Sequence, residues 1–83
     1  MAGASYGDID FSTFVISLGS NAAMQLDPTS ASYDLELAKQ TIDILAMLEH
    51  KTAGNLTKEE DELLRNVLHQ TRLAWREVSR SPS

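Results

Sequence analysis

Apolar residues recur along this chain with a period near 3.6 in three separate blocks, which predicts three amphipathic helices. In the first block Phe11, Phe14, Val15, Leu18, Ala22 and Leu26 fall on one continuous stripe. Ile16, Ala23 and Met24 lie off that stripe and widen the apolar arc. Asp10, or else Asp8, is placed to cap the start, where a carboxylate meets exposed N–H groups and the positive end of the helix dipole. "DPTSAS" ends the block, because Pro28 cannot continue a helix and disfavours helical geometry at Asp27. The second block opens at Asp34 and runs through "LELAKQTIDILAMLEHKTA" to Gly54, which suits the left-handed residue that closes a helix. Its apolar positions form two neighbouring rows, Leu37, Thr41, Ile44 and Leu48 beside Ala38, Ile42 and Leu45. Two rows predict contact on two sides, as for the central member of a bundle. The third block carries Leu64, Val67, Leu68, Thr71, Ala74, Trp75 and Val78 along one side.

The connector between the second and third blocks is the clearest local signal. Gly54 stops one helix, and Thr57-Lys58-Glu59-Glu60 has the capping-box form that starts the next. A link this short predicts an antiparallel hairpin of helices two and three. The expected fold is therefore all-α, with helices over 10–26, 34–53 and 58–79 in a single domain over 8–79. Small polar tails over 1–7 and 80–83 flank it.

Composition sharpens this picture. In 83 residues there is no cysteine, so neither disulfides nor thiolate metal sites support the small core. Self-association is the support that remains, with a homodimer expected first. The net charge of −5 sits wholly in the N-terminal half. Asp8, Asp10, Asp27, Asp34 and Glu36 are unopposed before Lys39, and from there seven bases meet seven acids. That bias argues against nucleic acid as a partner. Arg65, Arg72, Arg76 and Arg80 share one flank of the third helix, and their plainest role is a solvated face with intrahelical partners such as Asp61. The absence of cysteine and of a secretory leader pattern fits a cytoplasmic setting.

Candidate chemistry is sparse. Ser12, Ser17 and Ser20 lie on an apolar helix with no histidine before His50, so a nucleophile with an adjacent base is not expected. The run "EEDE" at Glu59–Glu62 has the form of an acidic first helical turn and lacks the glycine turn of a calcium loop. Neither a metal nor a cofactor is expected, and His50 suits the negative end of a helix.

"DIDFSTFVISLGSNA", "AKQTIDILAMLEHKTAGNLTKEEDELL" and the downstream Arg72 resemble a family of small bacterial proteins classed as a domain of unknown function, number 1844. The likeness covers about residues 8–78. It implies a short helical cytoplasmic protein and brings no catalytic residues with it.

One feature of the first helix points to a partner. Between Asp10 and Asp27 lie sixteen residues without a formal charge. The stretch is too short and too rich in serine for a membrane span, and it lacks the basic face of a surface-lying helix. Gly19 and Ala23, four apart, would let a second backbone come close. The sequence therefore predicts a non-enzymatic, self-associating interaction module, an adaptor or regulator. Its expected contacts are Phe11, Phe14, Val15, Ile16, Leu18, Gly19 and Ala23, with Trp75 and Val78 as a second patch. Two alternatives stay open: a regulatory subunit docking on a bacterial signalling protein such as a small GTPase or response regulator, and a small hydrolase or metal-dependent enzyme. The enzyme would need a polar pocket uniting a histidine with carboxylates.

Overall fold

The computed structural model describes residues 10–80, so the expected tail over 1–7, the alternative cap Asp8 and residues 81–83 lie outside the described residues. Three helices follow in order: α1 (Phe11–Gln25), α2 (Leu35–Lys51) and α3 (Lys58–Arg80). Each packs on the other two. The all-α expectation holds, and α3 takes in Arg80, which sequence had assigned to the tail.

Local chemistry accounts for each boundary. Asp10 caps α1: its carboxylate accepts the Thr13 N–H at 2.8 Å. That hydrogen bond holds the Asp10 pKa below its ordinary 3.8. After Leu26 the chain turns on Asp27, whose carboxylate accepts both the N–H and the hydroxyl of Thr29 at 2.9 and 2.7 Å. The Asp34 N–H then donates to the Gln25 carbonyl at 2.8 Å, fastening the start of α2 beside the end of α1. Asp34 in turn caps α2 by accepting from Glu36 and Leu37 N–H.

α2 ends at Lys51, two residues before the expected 53. The reason is a tight turn, closed by the Asn55 N–H on the Thr52 carbonyl at 2.9 Å, with Gly54 at φ +86°. Only glycine adopts that angle freely. The capping box follows as expected. Thr57 N–H donates to the Glu60 carboxylate at 2.9 Å, and Glu60 N–H donates to the Thr57 hydroxyl at 3.1 Å. Thr57→Ala removes one of these partners and is expected to cost about 1 kcal/mol of stability, measured as a lowered urea midpoint with unchanged slope.

The core draws on all three helices. Val15, Ile42, Leu45, Leu64 and Leu68 form its centre, and Phe11, Leu18, Leu48, Leu56, Val67 and Trp75 pack against it. Trp75 near the end of α3 donates its indole N–H to the Leu35 carbonyl at the start of α2, 3.3 Å away. That cross-tie sets α2 and α3 antiparallel, as the short link predicted. Among the described residues Thr41 and Thr71 are the buried polar side chains, and both bond carbonyls one turn earlier on their own helices. The Thr41 hydroxyl also lies 2.9 Å from the Gln25 side-chain oxygen. A hydroxyl has one proton, so both contacts are met at once if the Gln25 amide is turned to donate.

One expectation for α2 fails in part. Ala38, Ile42 and Leu45 are buried, but Leu37 and Ile44 from the other row are 45% and 40% exposed. That row is split, with Thr41 buried and Leu48 packed on the core while Leu37 and Ile44 face outward.

Candidate protein interface

The uncharged helix α1 is wider in its apolar arc than its two neighbours can hide. Successive residues turn by about 100° in an α-helix, and Val15 points into the core with 0% exposure. Phe14 and Ile16 therefore stand on opposite flanks, an arc of about 200°. In a triangular bundle the two neighbours cover much less. The Gln25–Thr41 contact identifies the flank toward α2, where Phe14 and Leu18 lie. The approach of Gly19 to Val67 identifies the flank toward α3, where Ile16 and Ala23 lie. Phe14, Ile16 and Met24 are 40%, 53% and 46% exposed.

These positions sort the residues expected to contact a partner. Phe14, Ile16 and Ala23 are exposed; Phe11, Leu18 and Val78 are half-buried. Val15 is wholly inside the chain and is corrected to a core residue, because the centre of the arc faces both other helices. Gly19 has an internal reason for its size. A Cβ there would sit 2.9 Å from Val67 Cγ1 of α3, so the close backbone approach is made within the chain. Trp75 is likewise committed inside, through its packing on the core and its bond to Leu35.

Between α1 and α3 runs an almost wholly apolar groove of about 420 Å³, floored by Val67 and Leu26 and edged by Ala23, Gln70 and Ala74. Gly19 also lines it, on the side where α1 comes closest to Val67. On the other flank of α1, α2 presents Leu37, Ile44 and Met47, all between 40% and 46% exposed. Sequence reading missed this stripe as a surface. Its signal was present: Leu37, Gln40, Ile44, Met47 and Lys51 follow alternating steps of three and four, the spacing of a helix–helix seam.

The charged features are local. Arg65 pairs with Asp61 at 3.2 Å, as expected for an i, i+4 pair. Both ends are largely exposed, so the pair contributes little to stability. Arg72, Arg76 and Arg80 are exposed, and none enters an ion pair among the described residues. Of the acidic run, Glu60 closes the capping box and Asp61 holds Arg65. A polar hollow of about 480 Å³ at the α2–α3 turn is lined by Glu49, Thr57, Lys58, Asp61 and Arg65 and contains no histidine. His50 and His69 are both exposed. Among the described residues no three of His, Cys, Asp or Glu gather as a metal site. No described helix is long and apolar enough to cross a membrane.

No curated protein matches this chain, and no solved structure does. The pattern of the family described as Domain of unknown function (DUF1844) matches residues 8–77, which takes in all three helices apart from the last residues of α3. The chain is a member of that family.

Proposed function

We propose that this protein is a non-enzymatic interaction module, a small self-associating adaptor or regulator acting in a bacterial cytoplasm. The observation that supports this reading is the exposed apolar face of Leu37, Ile44 and Met47 on α2 with Phe14 on the adjoining flank of α1, each 40–46% exposed. Single exposed apolar residues are ordinary, whereas contiguous ones mark contact surfaces. A chain without disulfides also gains most from burying them, because its own core is small.

Light scattering over a range of concentrations tests the proposal. The native chain is expected at twice its monomer mass. Phe14→Glu would bury an unpaired charge in the contact and weaken association by about a hundredfold, roughly 3 kcal/mol. Phe14 is exposed in the monomer, so the helical circular dichroism should be retained. A native chain that stays monomeric at every concentration defeats self-association.

The groove between α1 and α3 favours a second reading, a regulatory subunit that receives an apolar side chain of another protein. Its outer edge at Ala23 is exposed and its walls carry almost no polar surface. On that reading Ala23→Glu abolishes capture of the partner and leaves the mass of the isolated chain unchanged.

A further inference from the structure

We propose that a second copy of this chain packs on the α1–α2 face, with the two α2 helices antiparallel about a two-fold axis at Ile44. This rests on the self-association reading and assigns its surface and geometry.

Three observations carry it. First, the exposed stripe of α2 has the three-four spacing that lets one helix seat on another, and it is centred on Ile44. Leu37 and Lys51 each lie seven residues from that centre, and Phe14 on the adjoining flank of α1 extends the same apolar face. Second, acids mark the first turn of α2 and bases its last, while Lys39 and Asp43 between them pair with each other at 3.5 Å and half-buried Glu49 lines the hollow toward α3. Glu36 stands in the first turn, with Asp34 at the cap, and His50 and Lys51 stand in the last. An antiparallel pair sets the acidic end of each helix against the basic end of the other, and opposes the two helix dipoles favourably. A parallel pair would bring Glu36 onto Glu36 and Lys51 onto Lys51. Third, the neighbouring α1 contributes no charge to this face, so nothing there needs a charged partner of another kind. Lys51 fits the seam because its aliphatic stem can cover Leu37 of the other copy while its ammonium reaches Glu36 or Asp34. A surface complementary to itself under a two-fold rotation is what a second identical chain recognises.

The full chain contains no cysteine, so single thiols can report the geometry without background. Helices packed about 8–10 Å apart bring facing Cα atoms at the axis into disulfide range. With oxidised glutathione as oxidant, Ile44→Cys is expected to form a covalent dimer at least about tenfold faster than Leu73→Cys on α3, because the rate follows access between thiols. A mixture of Leu37→Cys and Lys51→Cys chains should cross-link to each other in preference to themselves. Self-linked Leu37→Cys would overturn the antiparallel arrangement, and faster linking through Leu73→Cys would overturn the face. In either case a native dimeric mass by light scattering leaves self-association standing, whereas a native monomeric mass removes both.

Discussion

Leu45→Ala is expected to be among the most damaging single changes in this protein, costing about 2–5 kcal/mol. Leu45 is fully buried on α2 and belongs to the core cluster with Val15, Ile42, Leu64 and Leu68. Deleting its branched end removes the contacts it makes within a cluster drawn from all three helices, and a close-packed interior refills the space only in part. At roughly 0.05–0.15 kcal/mol per residue, a domain of this size has a total stability of about 4–12 kcal/mol. The substitution therefore removes a large share of it. The melting temperature should fall by at least about 8 °C, taking the smaller effect per kcal/mol for domains of this length. Leu73→Ala is the matched control, since Leu73 is 40% exposed and is expected to lose less than about 1 kcal/mol. Equal losses at the two positions would mean that Leu45 does not sit in the core.

Gly19→Arg is the second large effect, and it acts by overpacking. The first added carbon alone would lie 2.9 Å from Val67 Cγ1, where carbon atoms at rest sit about 3.5–4.0 Å apart. Val67 is β-branched and held in one preferred rotamer on its helix, so it cannot swing aside. The longer side chain must then push α3 away from α1, at a cost of about 3 kcal/mol. Replacing a helical glycine offsets about 1 kcal/mol of that. The melting temperature should drop by about 8 °C or more. Gly19→Ala separates the two contributions. With Val67 present the clash opposes the helical gain, whereas in a Val67→Ala background the alanine should stabilise, giving a coupling of about 1 kcal/mol. If Gly19→Ala stabilises equally in both backgrounds, α1 and α3 are not in contact there. Because Gly19→Arg disturbs the fold, a change in assembly caused by it says nothing about the surface of α1. Phe14 and Ile44 are the informative positions.

Much of the architecture was legible because its causes are local. Asp10, Asp34 and the Thr57–Glu60 box cap helices through bonds spanning two or three residues, so the residue types and spacing suffice to recognise them. Gly54 announced its turn because only glycine accepts the positive φ that the turn requires. The covered side of α3 follows the spacing from Leu64 to Val78, since its other positions are charged or polar apart from Leu63 and Leu73. The candidate interface was harder to read. Val15, Phe14 and Ile16 are all apolar neighbours on α1, and nothing in their spacing says which of them two other helices will cover.

By itself, then, the sequence determined three helices, their caps, the hairpin and the presence of more apolar surface than a small bundle needs. Those properties depend on bonds and periodicities that reach no further than one helical turn. Tertiary structure alone decided that Val15 goes inside while Phe14 and Ile16 stay out, and that Gly19 serves Val67 of its own chain. It also left the Leu37–Ile44–Met47 stripe on the surface. The physical reason is angular. Apolar arcs on α1 and α2 are broader than the sector two neighbouring helices can occupy, and where those neighbours sit depends on contacts between residues far apart in the chain, such as Trp75 with Leu35.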